Sequence, residues 1–296
     1  MSSFTIACPE HFSFRQCLHF LQRSPLELLH TVQDEEVWSV IRVKEKPILF
    51  SVKEGLQNQL VVQVWNQRIT VLSEQAISHF VTAWFDLKTH LAPFYSMASR
   101  DALLKPLVKR YAGYRIVGIP DLFESLSWAI IGQQINLPFA YRLKQQFVHS
   151  FGDQLTWNDK TYYQYPEPSV VANLDAAELL RLQFSRQKAD YVIATAKTIV
   201  SGAISEESLA GMSFEEAKEC LVKLRGIGNW TANYVLMKTF HHPNAFPLED
   251  AGLHQAIRNQ LSLPAKPSCR EVEQLFKKYE GWEAYATVYL WRSLSA

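Results

Sequence analysis

The sequence predicts an α+β domain with a small antiparallel sheet, followed by a mostly α-helical domain. Two observations carry this. Runs of β-branched and aromatic residues with short polar breaks are confined to the first 88 residues, and beyond residue 89 the pattern changes to helical spacing with N-cap signals. A chain of 296 residues is long enough for two or three cores, and the boundary is drawn as 1–88 and 89–296.

Phe12, Cys17, Phe20 and Leu21 suggest a short helix. Residues 38–43 (WSVIRV), 48–52 (ILFSV) and 60–65 (LVVQVW) read as strands, and Lys44–Pro47 and Glu54–Gly55 separate them. A helix is expected over 77–85. In the second part, Asp121 with Glu124 opens a helix carrying Leu122, Leu126, Ala129 and Ile130. Residues 132–136 (GQQIN) interrupt it, Pro138 suits the first turn of the next helix, and Gly152 ends that one. Residues 157–169, rich in Tyr and Pro, read as a loop. Asp175 with Glu178 and then Ser185 open further helices, and the last is expected to end near Gly202. Helices are also expected over 250–261, 270–279 and 283–294.

The composition is that of an ordinary soluble globular chain. No apolar run approaches the length of a membrane span, and the first residues, MSSFTIACPEHFSF, lack the basic start and apolar core of a secretory signal. A cytoplasmic monomer is expected. Cys8, Cys17, Cys220 and Cys269 are scattered without CxxC spacing, which argues for a reducing compartment and against zinc. His241-His242 lacks further ligands. The net charge of +1 is low for a non-specific DNA binder, though a local basic face remains compatible with it.

The most informative stretch is 213–252. Ser213 and Glu216 form a capping box, and Ala217, Leu221 and Leu224 follow at helical spacing. Gly226-Ile227-Gly228 suits a turn with positive φ angles, Ile227 pointing inward. A second helix then carries Trp230, Thr231, Tyr234, Val235 and Lys238. Its first amides have no partner within the helix and make an anion site suited to phosphate. The pattern LxGIGxxTAxxxL is that of a helix-hairpin-helix, which grips DNA backbone without reading bases. A short loop later, PLEDAG supplies Asp250.

Hairpin plus Asp resembles the helix-hairpin-helix DNA glycosylase superfamily, in particular its 3-methyladenine DNA glycosylase II (AlkA) type. The likeness extends to GIPDLFESLSWAIIGQQI (118–135) and YATVYLWRS (285–293). It implies two helical lobes flanking a cleft, double-stranded DNA with damaged bases as partner, and Asp250 as catalytic residue. An N-glycosidic bond breaks with positive charge developing on the sugar, which a carboxylate stabilises. An ordinary N-cap role for Asp250 is compatible, and Glu249 is its neighbouring rival. The resemblance also assigns Trp230, Tyr234 and Trp291 to an aromatic base pocket; core packing is the alternative for each. Phe20 and Trp128 are further aromatic candidates, whereas Trp282, Tyr285 and Tyr289 look like core.

Members that also cut the strand carry a Lys where this chain has Trp230, which implies a monofunctional enzyme with no Schiff base. Gln134 falls where the family places the side chain that fills the gap left by the flipped nucleotide; the AlkA type has an apolar wedge there. Gly226 and Gly228 should hold phosphate, supported by Lys223, Arg225 and Lys238. His254, one turn past Asp250, is a DNA-backbone contact or a plain surface His. Carbonyls of Val222, Leu224 and Ile227 would bind a structural Na+ or K+, with no other cofactor; the fourfold C-terminal cysteine set that some members use for an iron–sulfur cluster is absent. The implied activity is excision of alkylated purines, such as 3-methyladenine and 7-methylguanine, in base excision repair. The alternatives are a deaminated, oxidised or etheno lesion, a non-catalytic DNA-binding module, or an unrelated helical protein with a chance GIG turn.

Overall fold

The computed structural model describes residues 2–295. The first part is a five-stranded antiparallel sheet with two helices. In chain order come β1 (Ser2–Ala7), α1 (Phe14–Leu21), β2 (His30–Gln33), β3 (Glu36–Val43), β4 (Lys46–Glu54), β5 (Gln59–Val64) and α2 (Val71–Trp84). The spatial order is β1-β5-β4-β3-β2. Alternation sets the buried face: Leu60, Val62 and Val64 of β5 are all buried and pair with β1 and β4. Two strands carry little of the expected β pattern. β1 begins with two serines, and β2 is only four residues long. The second helix starts at Val71, not Ile77, because Thr70 and Ser73 form a capping box.

The helical part comprises α3 (Ala92–Ala98), α4 (Leu104–Arg110), α5 (Leu122–Gly132), α6 (Leu137–Phe151), a hairpin of β6 (Gln154–Trp157) and β7 (Lys160–Tyr163), then α7 (Pro168–Val171), α8 (Ala176–Arg181), α9 (Arg186–Val200), α10 (Glu206–Ala210), α11 (Phe214–Val222), α12 (Asn229–Lys238), α13 (Ala251–Gln260), α14 (Cys269–Phe276) and α15 (Glu283–Arg292). The expected caps Asp121, Asp175, Ser185 and Ser213 each accept an amide at the start of their helix. The hairpin corrects the loop expected from residue 157 onward. Asn158 and Asp159 both have positive φ, the two-residue turn that matches strand twist. β7 then lays Tyr162 on the outer face of the sheet beside Val40, Leu49 and the stacked Trp38–Trp65 pair, whose centroids are 4.6 Å apart.

Both parts share one core. The buried Arg115 guanidinium donates to the carbonyls of His11, Asp86 and Thr89, joining the start of the chain to the α2–α3 link. Arg42 on β3 pairs with Asp153 and Glu167 of the helical part. Tyr285 and Tyr289 are fully buried on α15, as expected.

Candidate active site

α11 and α12 form the hairpin. Gly226 has φ +90, and a Cβ there would overlap the ring of Tyr191 on α9, so both conformation and space require glycine. Ile227 is buried as expected. Gly228 departs from the expectation of a second positive φ: its φ is −94, an extended N-cap open to any residue. A Cβ at Gly228 would meet nothing within 4 Å, and no side chain caps α12. The outer face of its first turn is therefore bare backbone at the positive end of a helix dipole, which suits an anion. Lys223 and Arg225 are exposed beside it. Lys238 is not. It is 4% exposed, its Nζ donates to Val117 O, and burial holds its ammonium well below the usual lysine range, so it is unavailable to phosphate.

Gln133, missed in the sequence, ties the α5 end to the hairpin. Its Nε2 donates to Gly226 O at 2.9 Å and to Thr231 Oγ1 at 3.1 Å. The only available signal was its place beside Gln134. Gln134 itself is exposed with φ +55, a conformation unfavourable for a side chain with a Cβ.

Asp250 is half-buried and caps α13, its Oδ1 accepting the Leu253 amide at 2.7 Å. That oxygen also accepts Trp291 Nε1–H at 2.8 Å, and Oδ2 accepts Trp230 Nε1–H at 3.1 Å. Two indoles from different helices thus hold both carboxylate oxygens with charge-assisted bonds. Glu249 is exposed and bonded by Asn229 Nδ2 at 2.9 Å, outside this arrangement.

The aromatic candidates form a continuous wall. Trp230 stacks on Tyr234 with centroids 5.3 Å apart, and Tyr234 meets Trp291 at 6.4 Å. Burial pushes the Tyr234 phenol up to about 12, so it stays protonated, and it accepts Trp128 Nε1–H at 3.0 Å. Behind Trp128 lies a cavity of about 60 Å³ where the two parts of the chain meet, lined by Phe20, Arg23, Glu124, Tyr141, Lys144 and Lys238 among others. Lys144 bridges Glu27 at 3.1 Å and Glu124 at 3.0 Å. Burial pushes Glu124 up to about 7, Lys144 offsetting only part of that; at Glu27 burial is outweighed by Lys144 and the carboxyl falls to about 2.

His254 is a correction. It is 8% exposed, and its two ring nitrogens face Pro267 O at 2.8 Å and Leu248 O at 2.7 Å. It braces the loop before Asp250 and has no nitrogen to offer DNA.

The model for the HhH-GPD superfamily base excision DNA repair protein matches residues 127–280. The chain belongs to this superfamily. A second model, the 8-oxoguanine DNA glycosylase N-terminal domain, matches residues 3–126, so the five-stranded sheet is the family's N-terminal element. Among relatives, the DNA-3-methyladenine glycosylase of Bacillus subtilis is 40% identical over 98% of this chain and 96% of its own. DNA-3-methyladenine glycosylase 2 of Escherichia coli is 26% identical over 60% of each. The 3-methyladenine DNA-glycosylase structure from Archaeoglobus fulgidus shares the fold with a TM-score of 0.82 over 97% of both chains at 23% identity. Among the described residues, no helix is long and apolar enough to cross a membrane.

Proposed function

We propose that this superfamily member is a monofunctional DNA glycosylase that releases alkylated purines such as 3-methyladenine and 7-methylguanine from double-stranded DNA. One observation carries the mechanism: Asp250, half-buried, has both oxygens fixed by indole N–H groups at the end of an aromatic wall. In this reading the damaged nucleotide is turned out of the duplex and its base meets the aromatic faces. As the base leaves with the glycosidic electron pair, Asp250 stabilises the cationic sugar; water then adds at the vacated carbon and gives up a proton. An alkylated cationic purine is already a good leaving group and is drawn to aromatic faces.

Phosphate is held by the bare α12 amides with Lys223 and Arg225, and Gln134 fills the gap in the duplex. The Val222, Leu224 and Ile227 carbonyls are neutral oxygen donors of the kind Na+ or K+ takes, although Leu224 O already accepts the Ile227 amide. Trp230 in place of a lysine supports base release without strand cleavage. A monomer in the cytoplasm is the simplest working form.

The test is base release from duplexes carrying 7-methylguanine, 3-methyladenine, hypoxanthine, ethenoadenine or 8-oxoguanine, with borohydride trapping for a Schiff base. Alkylated purines should lead, no trapped adduct should form, and Asp250→Asn should lose about 10³-fold. That figure follows from roughly 4 kcal/mol between unit charges 4 Å apart near a protein surface. Asn caps helices as well as Asp, so the variant separates the two roles of residue 250. Full activity of Asp250→Asn, or preference for 8-oxoguanine, would overturn the assignment.

A further inference from the structure

Gln134 holds a left-handed conformation, φ +55, which a residue with a Cβ keeps only where its surroundings fix it. Its side chain is exposed, so the constraint comes from the residues on either side. Before it, Gln133 Nε2 donates to Gly226 O at 2.9 Å and to Thr231 Oγ1 at 3.1 Å; a carbonyl only accepts, which fixes the orientation of the amide. After it, Ile135 packs against the core. Two contacts from α9 complete the frame. Lys188 Nζ donates to Ile131 O at 2.7 Å, satisfying a carbonyl in the last turn of α5, and the Tyr191 ring lies against Gly226. The end of α5, the hairpin and α9 are thus joined pairwise in a closed triangle, and Gln134 follows directly on one corner of it.

We propose that Gln133 is a positioning residue for duplex opening, its amide locking the turn so that Gln134 is held in one pose beside the phosphate grip. The inference rests on the reading of Gln134 as the side chain that fills the gap left by a flipped nucleotide. Gly226 and Thr231 belong to the hairpin whose first α12 amides take phosphate in that reading. The tether therefore sets the spacing between the gripped backbone and the inserted side chain. An untethered turn would relax out of the left-handed region, and each insertion would then have to order it again. Gln133 itself meets neither base nor sugar in this arrangement. It favours the opened duplex and leaves the bond-breaking step to Asp250.

The experiment measures single-turnover release of 7-methylguanine from two substrates. In one the lesion is paired with cytosine; in the other it sits in a one-nucleotide bulge, where extrusion leaves no gap to fill. Gln133→Ala and the same-shaped Gln133→Glu, which has no N–H to donate, should each slow the paired duplex several-fold, about as much as Gln134→Gly, and lose less than about twofold on the bulge. Gln133→Ala combined with Gln134→Gly should be no slower than Gln134→Gly alone, because the tether acts only through residue 134. A disturbed scaffold would slow both substrates alike. Equal slowing on the two substrates, independent losses in the double variant, or wild-type rates for the Gln133 variants on the paired duplex would each overturn the inference. A wild-type rate for Gln134→Gly on the paired duplex would overturn the gap-filling reading beneath it, and a wild type inactive on both substrates would overturn the glycosylase reading itself.

Discussion

Replacing Trp291 with Phe isolates the clamp on Asp250. The ring remains to face Tyr234, but the Nε1–H bond to Oδ1 at 2.8 Å is lost. A hydrogen bond to a charged group contributes about 1.5–3 kcal/mol, or roughly 10- to 100-fold in rate if expressed fully in the transition state. Oδ1 keeps the Leu253 amide and Oδ2 keeps Trp230, so the lower part of that range is expected. Single-turnover release of 7-methylguanine at saturating enzyme should fall about 10- to 30-fold while duplex affinity changes less than about threefold. The melting temperature should drop by only several degrees, since about 1.5–2 kcal/mol is removed from a large domain. Trp230→Phe should behave alike. The double variant should lose more than the product of the two, because each indole compensates for the absence of the other. An unchanged rate with weakened DNA binding would refute this reasoning and make Trp291 a wall of the pocket only.

Three further outcomes follow. Gly226→Ala must strain a positive φ and push aside Tyr191, so it should destabilise the protein by about 2 kcal/mol or more; Gly228→Ala should leave the melting temperature unchanged and still weaken duplex binding several-fold, read by salt-dependent titration. Gln134→Gly relieves an exposed positive φ and should raise stability by about 0.5–1 kcal/mol while slowing base release several-fold. Glu124 has a folded pKa raised from its ordinary value to about 7, so the folded state binds the extra proton: its contribution is fully present below about 4.5 and is lost as pH rises to 7. Glu27 runs the other way, its contribution present above about 4.5 and lost as pH falls towards 2. Glu124→Gln should therefore flatten the fall in melting temperature between pH 4.5 and 7 and leave the acid limb in place.

What could be read from the sequence was local. Capping boxes, the GIG turn and the strands 38–43, 48–52 and 60–65 declare themselves over a few residues, and the structure places each near its expected position. Contacts between distant segments were not legible. β1 exists because β5 needs an edge partner, and its own residues hardly specify a strand. The Asn158-Asp159 turn was a usable hairpin signal, masked by the Tyr and Pro residues after it. His254 and Lys238 looked like surface residues within reach of DNA because helical spacing gives a face without saying what packs on it; the Pro267 and Val117 carbonyls come from other segments. Asp250 was found from the family pattern, but its clamp by two indoles 20 and 41 residues away along the chain required the fold.

That clamp also explains why the hairpin and the carboxylate occur together. The loop after α12 is tied back to that same helix at three successive points: Asn233 Oδ1 accepts the Phe246 amide at 2.8 Å, Asn229 donates to Glu249, and Trp230 donates to Asp250. All three partners lie within the first five residues of α12, whose N-terminus no side chain caps. On the proposed reading, a duplex held at the first amides of α12 would be held by the same turn that orients the carboxylate. An error in seating the backbone would then move the sugar relative to Asp250 by the same amount, and near-attack geometry tolerates displacements well under about 1 Å. If the proposed roles hold, coupling grip and chemistry through one helical turn would make loose, non-specific DNA contacts unproductive, and a chain with a net charge of only +1 would depend on seating more than on electrostatic capture.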